Sequence, residues 1–159
     1  MTYLFMAIFA AAVVVLDQVT KFLTVSNIDL YQQIPVIPGL VHFTFAKNYG
    51  AAFSSFNGMQ WLVLLVFVLF SAGIVWEFSK KRWPFTMLER WCIIAIFAGG
   101  LGNMIDRLHL GYVVDMIEVE FIQFPVFNVA DCFITCGCIL LMAHLILFNK
   151  EFWKEEKKK

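Results

Sequence analysis

Four long apolar runs leave this chain few architectures to choose from. Residues 3–16 are apolar without interruption, and the helical pattern carries on through Asp17-Gln18-Val19-Thr20-Lys21 to about residue 23. Residues 60–76, 91–105 and 126–148 form the other three runs. At about 1.5 Å of rise per residue, roughly twenty such residues cross the hydrocarbon of a bilayer. With 61% hydrophobic and 15% charged residues and a mean hydropathy of +0.78, there is more apolar surface than a soluble core of this length can bury. The expectation is an all-α membrane protein of four transmembrane helices, over about 3–23, 60–77, 90–108 and 127–148. A small extracytoplasmic β-rich module is expected between spans one and two. Residues 1 and 2 carry no basic charge and an Asp-Gln pair follows the first apolar run, so that run reads as a span and not as a cleaved signal peptide.

The β-rich module is placed at residues 25–59. Pro35, Pro38 and Gly39 interrupt any helix there, and residues 40–46 alternate with period two, which is a strand pattern. Its aromatic face suits the membrane interface, and a clamp or lid over a membrane-depth site is a role that position would allow. It ends in Asn48-Tyr49-Gly50-Ala51-Ala52-Phe53, where small residues after a polar one permit close backbone approach. In the third run, Gly99, Gly100 and Gly102 permit tight helix contact or room for a ligand.

The formal net charge is zero, which suggests no nucleic-acid partner, but the basic residues are unevenly spread. Nine of the twelve, Lys80, Lys81, Arg82, Arg90, Lys150, Lys154, Lys157, Lys158 and Lys159, fall between spans two and three or in the tail. Cytoplasmic loops carry such an excess, so both termini and the basic tail at 149–159 are expected inside. Lys21, Lys47 and Arg107 then lie toward the outer side, together with most of the acidic residues. Cys92, Cys132, Cys136 and Cys138 all fall in apolar runs, where they are expected to pack as small hydrophobes and not to form disulfides or bind metal.

The outer side holds the unusual stretch. Residues 103–131 place Asn103, Asp106, Arg107, Asp115, Glu118, Glu120, Asn128 and Asp131 between two apolar runs. Ionisable groups at that depth are costly, and they normally face a wet cavity or a protein interior. Asp17 and Lys21, four apart on span one, can pair and offset part of that cost. Asn103 and Arg107 share a helix face at the outer end of span three. Asn128 and Asp131 have the spacing of a helix N-cap and its acidic third residue, and a plain cap is one reading of them. The sharper reading brings Asp115 and Asp131 together. Two adjacent carboxyls do not both ionise easily, so one retains a proton and the other is an anion, an acid and a base in one site. Such a pair can activate water against a peptide carbonyl and protonate the departing nitrogen. Asp131, at a helix start, is the expected base and Asp115 the expected acid. Asp106 cannot be ranked below Asp115 by spacing alone.

Three rival readings compete with a peptidase. A proton-coupled transporter or channel could use Asp17, Asp115 and Asp131 as a relay, but the carboxylates cluster on one side and no paired repeat is seen. A metal hydrolase could draw on His109, Asp115, Glu118 and Asp131, yet His42, His109 and His144 are scattered without ligand spacing. His144, deep in span four, reads as a packed or helix-bonded imidazole. A non-catalytic scaffold needs no such concentration of polar groups.

In order and spacing, Asp17-Gln18-Val19-Thr20-Lys21, Asn48-Tyr49-Gly50-Ala51-Ala52-Phe53, Gly102-Asn103-Met104-Ile105-Asp106-Arg107, Val113-Val114-Asp115 and Phe127-Asn128-Val129-Ala130-Asp131 resemble the signature blocks of bacterial lipoprotein signal peptidase (signal peptidase II). The resemblance covers nearly the whole chain. It implies an aspartic endopeptidase of the bacterial inner membrane that cuts prolipoproteins before a cysteine carrying diacylglycerol. By the same resemblance Asp115 and Asp131 are the catalytic dyad, and Asn48, Gly50, Asn103, Arg107 and Asn128 shape or polarise the site, with Asp17 and Lys21 in support. The implied partners are the diacylglyceryl-cysteine prolipoprotein and membrane lipids, the chain is expected to act as a monomer, and no cofactor or metal is called for. Residues 116–126 alternate like a strand to which no role is assigned.

Overall fold

The computed structural model describes residues 1–50 and 60–156. Ala51-Ala52-Phe53, part of the second signature block, lies outside the described residues. Four helices are long and apolar enough to cross a membrane: α1 (Thr2–Asn27), α2 (Gln60–Lys80), α3 (Met87–Leu110) and α4 (Val129–Leu147). Three strands, β1 (Gln33–Ile37), β2 (Val41–Asn48) and β3 (Val113–Val119), and a short α5 (Lys150–Glu156) complete the chain.

The helix α3 is the centre of the bundle, packed against α4 and α1, while α2 rests chiefly on α3. Its glycines set how closely the others approach. A methyl group at Gly99 would run into the carbonyl of Ala130, and one at Gly102 into the carboxylate of Asp17. Gly137 of α4 likewise faces the carbonyl of Cys92. These contacts are the tight packing that the glycines of the third run allow. In α1 the buried residues Met6, Val13, Asp17, Lys21 and Thr24 recur every three, four or seven positions and make one stripe. The stripe is apolar in its first half and polar in its second, so one helix face serves both the bundle interior and a polar cluster at one end of it.

The β module between the first two spans is present, and it gains a strand from elsewhere. The sheet is antiparallel in the order β1-β2-β3, with β3 supplied by the connection between α3 and α4. The strand expected within residues 116–126 thus begins three residues earlier, and residues after Val119 turn back instead of extending. The physical reason is pairing. β2 has two edges, β1 satisfies one, and β3 satisfies the other while Val114 and Met116 pack on Phe45. This gives residues 116–119 a role that the alternation alone left open, and it puts Asp115 on a strand in register with Ala46. β1 is exposed along its whole length.

Chain reversals are set locally. Gly111 ends α3 in the left-handed conformation (φ 76°), which a side chain would strain, and its N–H returns to the Arg107 carbonyl at 3.2 Å. All four cysteines are free. Cys92 is buried as expected, but Cys136 and Cys138 are exposed on α4, Cys136 on the wall of a cavity.

Candidate active site

Asp115 and Asp131 line one cavity of about 770 Å³. Its walls come from α2, α3, α4, the end of β2 and the loop at 124–127, and they are apolar apart from a small group: Lys47, Asn48, Asn103, Arg107, Thr135 and the two aspartates. Among the described residues α2 and α4 share no extensive packing, so the cavity lies between two spans that leave space beside it.

Each carboxylate is reached by a different route. Asp115 stands on β3, two residues along from Val113, the partner of Asn48 on β2. Side chains at such diagonal positions share a sheet face. Asn48 Nδ2 donates to Asp115 Oδ2 at 2.9 Å, and Asn128 Nδ2 donates to Oδ1 at 2.6 Å. Asp115 is only 2% exposed. Burial pushes its carboxyl up to about 7; the Asn48 and Asn128 amides and Lys21 act against the rise, while the charge of Asp131 adds to it.

Asp131 is the third residue of α4 and completes a capping box. Its N–H donates to Asn128 Oδ1 at 3.0 Å, and its own Oδ2 accepts from the Asn128 N–H at 3.2 Å. The plain-cap reading is therefore satisfied. It does not exhaust the residue, because Oδ1 accepts from Asn103 Nδ2 at 2.8 Å and the side chain also borders the cavity. The amides of Asn103 and Asn128 are joined at 3.1 Å, so the two carboxylates are the ends of one network: Asp115, Asn128, Asn103, Asp131.

Behind this network lies a buried ionic triad. Lys21 Nζ is 2.9 Å from Asp17 Oδ2 and 3.0 Å from Asp106 Oδ2, and it donates to Asn103 Oδ1 at 2.9 Å. The pairing expected from the Asp17 and Lys21 spacing is present, and Asp106 joins it. This resolves the position of Asp106. Its oxygens accept from Gln18 and from the Val114 N–H at 3.0 Å, and it does not border the cavity. Asp17 Oδ1 accepts the Ala130 N–H at 3.0 Å, anchoring the first turn of α4 one residue before Asp131. Gln18, in the first block but given no part by sequence reasoning, bridges Asp17, the Gly102 carbonyl and Asp106. No spacing rule reveals it, because its partners other than Asp17 are more than eighty residues away.

Arg107 also borders the cavity, and there it ties chain segments together. Its NH1 donates to the Asn103 carbonyl at 3.2 Å and its NH2 to the Gly50 carbonyl at 2.8 Å. The Gly50 N–H in turn reaches Asn48 Oδ1 at 3.0 Å, which holds the Asn48 amide toward Asp115. The nine residues that the resemblance assigns to the site thus fall in one connected region. His109 and Glu118 do not join it: His109 is exposed on the last turn of α3, and Glu118 accepts from Gln33 at 2.8 Å. Among the described residues no three His, Cys, Asp or Glu side chains converge as a metal site would require.

Comparison with known proteins agrees with this geometry. Residues 9–147 match the family model described as Signal peptidase (SPase) II. The lipoprotein signal peptidase of Streptococcus agalactiae serotype V is 43% identical over 146 residues, spanning 90% of this chain and 88% of that protein. That of Streptococcus pyogenes serotype M1 is 41% identical over 143 residues, spanning 90% and 89%. A bacterial membrane enzyme solved by the in meso method at 2.3 Å resolution superposes with a TM-score of 0.84 at 31% identity, covering 92% of this chain and 90% of that one. Polar residues brought together from four separate parts of a four-span bundle, and matches that run over nine-tenths of its length, lead to one conclusion: this chain belongs to the signal peptidase II family.

Proposed function

We propose that this chain is an aspartic endopeptidase that removes the signal peptide from diacylglyceryl-modified prolipoproteins, cutting just before the lipidated cysteine. Membership of the signal peptidase II family makes it a membrane peptidase of lipoprotein signal peptides. The finer reading, of mechanism and substrate form, rests on one observation: Asp115 and Asp131 border the same cavity and are linked through Asn103 and Asn128.

In this reading Asp131 accepts a proton from a water molecule as its oxygen attacks the scissile carbonyl, and Asp115 gives its proton to the departing amide nitrogen. The products are a signal peptide ending in a carboxylate and a lipidated cysteine with a free amine. Water is consumed, the two carboxyls exchange a proton between turnovers, and no covalent intermediate forms. A capping position suits Asp131 as the anion, since backbone N–H groups point at it. A carboxyl raised to about 7 suits Asp115 as the acid. Asn48, Asn103, Asn128 and Arg107 then orient the pair, while Asp17 and Lys21 hold the helices that carry it.

The substrate is itself an apolar segment bearing acyl chains. An apolar cavity between α2 and α4 admits it sideways from the bilayer, with its cut site at the aspartate end. The basic end of the bundle, at residues 80–90 and 149–156, is opposite. By the distribution of basic residues it is the cytoplasmic end, so both termini face the cytoplasm of a bacterial inner membrane and the aspartates face outward. The exposed β1 strand and the β1–β2 turn serve as a clamp at the interface. The chain works as a monomer among membrane lipids. The transporter alternative gains no support, since all four spans are continuous helices over the described residues, whereas transporters place binding sites at broken ones.

The test is incubation of the purified chain, in detergent, with a diacylated precursor and with the same precursor lacking the lipid. Cleavage of only the first is expected. Cleavage of both alike would remove the lipid from the substrate description, and unimpaired cleavage by Asp115→Asn or Asp131→Asn would remove the dyad.

A further inference from the structure

At the end of the bundle opposite the aspartates, the first turns of α1, the end of α2 and the start of α3 enclose a second cavity of about 320 Å³. It is lined by Thr2, Tyr3, Met6, Lys81, Met87 and Arg90. Arg90 is incompletely held there. Its Nε donates to the Phe85 carbonyl at 3.3 Å, and its NH2 is 3.8 Å from Glu77 Oε1, which is beyond hydrogen-bond distance. At that distance Glu77 is still its ion-pair partner, although both Glu77 oxygens also share the Trp83 N–H at 3.3 Å, and the guanidinium carbon lies 5.5 Å from the Phe78 ring centroid. NH1 of Arg90 is, among the described residues, a buried side-chain nitrogen with no acceptor, on a side chain only 13% exposed. Buried guanidinium groups are normally satisfied, so an orphan N–H beside a cavity calls for an explanation.

Lys81 supplies a second charge to the same space. It closes α2 in the left-handed conformation (φ 48°), donating its N–H to the Glu77 carbonyl at 2.7 Å. That position favours glycine, and a lysine there is strained. Observed strain of this kind clusters where a side chain is needed for binding.

We propose that this cavity binds the phosphate of an anionic phospholipid headgroup, with Arg90 and Lys81 as its cationic partners. The walls are the ends of three spans, and Tyr3, Leu4, Met87 and Leu88 are exposed around them, where acyl chains run. A soluble anion would have no use for that surface. The volume, roughly ten times a water molecule's share of the liquid, accommodates a glycerophosphate and not a protein segment. Exposed Lys80 and Arg82 next to the site add long-range attraction toward an anionic leaflet. The site is separate from the aspartate cavity and its occupancy does not depend on the peptidase reading.

Native mass spectrometry of the full chain in detergent measures this directly, titrating phosphatidylglycerol, phosphatidylcholine or inorganic phosphate. One tightly held phosphatidylglycerol is expected, with neither of the others retained. Each basic side chain near a membrane surface contributes enough that its removal weakens binding roughly fivefold. Lys81→Gln should therefore lower the apparent affinity about fivefold, and Lys81→Gln with Arg90→Gln about thirtyfold, by the same reckoning. The paired control Lys80→Gln with Arg82→Gln removes the same charge from outside the cavity and should weaken binding less than the cavity pair does, since those residues do not line it. Equal retention of the zwitterionic lipid, or a control as damaging as the cavity variant, overturns the site. Retention of inorganic phosphate in place of the lipid overturns the lipid assignment. If loss of Arg90 prevents folding, as circular dichroism would reveal, Lys81→Gln alone decides, and unchanged affinity there refutes the proposal.

Discussion

Two helices in this bundle begin with the same device and put it to different use. α3 starts with Thr86 capped by Glu89, and α4 with Asn128 capped by Asp131; both are complete capping boxes, each with a carboxylate three residues past the cap. Glu89 is fully buried and saturated. Its oxygens accept from the Thr86 N–H at 2.6 Å and from Asn149 Nδ2 at 2.9 and 2.8 Å, and Oε1 lies 2.8 Å from His144 Nδ1. Asp131 keeps one edge toward a large cavity. A carboxylate at a helix start is thus uninformative about function until its remaining lone pairs are accounted for. Where every lone pair is taken the group ties elements together, here α3, α4 and α5; where one faces open space, it can act on something else.

That contrast can be broken most sharply by substitution at the two caps. Asp131→Asn and Asp115→Asn should each reduce cleavage of a diacylated precursor by about 100-fold or more, with circular dichroism and thermal melting near those of the parent. A residual rate within tenfold of the parent in either variant would mean that facing the cavity is not what distinguishes the two boxes. Lys21→Met should unfold or nearly unfold the protein, because it leaves Asp17 and Asp106 as uncompensated buried carboxylates; the loss is about 3–5 kcal/mol. Chemical denaturation in detergent measures it, and a loss below about 1 kcal/mol would show that the triad is wetter than its burial implies. Glu89→Gln should lower stability by about 1–3 kcal/mol while leaving kcat within a few-fold, since only the tie between helices is weakened. A large fall in kcat with an unchanged melting temperature would reverse the assignment of that box.

The smallest effect is in pH. Asp115 must hold its proton to act as the acid, and burial lifts its carboxyl to about 7. Below that value the competent form prevails; as pH rises through it the proton is lost and the rate declines. Between pH 7 and pH 8 kcat/KM should fall about three- to tenfold, with the limb belonging to the pair and not to one residue. A profile level through pH 8.5 would contradict the acid role.

How much of this could be read in advance differs by element. The four spans follow from apolar length, which is local, and they are present with shifts of a few residues at their ends: α1 runs on to Asn27 because Thr24 is still buried against the bundle. The pairing of Asp17 with Lys21 was legible for the same reason, being one helical turn. What a local pattern missed was every partner contributed from afar. Glu89, Asn149 and His144 give no signal as a cluster, although they come together at the end of the bundle opposite the aspartates, with His144 in the last turn of α4 and bonded to Glu89 of α3. Gln18 and Asp106 were in view but unranked. The third strand shows as alternation from residue 116 but begins at Val113, because its register is set by β2 and not by its own residues.

The sequence by itself determined that this chain crosses a membrane four times, that its basic residues gather at one end, and that an unusual set of carboxylates and amides gathers at the other. Those are consequences of composition along the chain, where each residue's cost in lipid is nearly independent of its distant neighbours. Only the tertiary structure decided which carboxylates face a cavity and which are consumed by packing. That choice depends on close helix contacts at Gly99 and Gly102 and on a strand borrowed across the sheet, interactions between residues far apart in sequence whose geometry no local preference encodes.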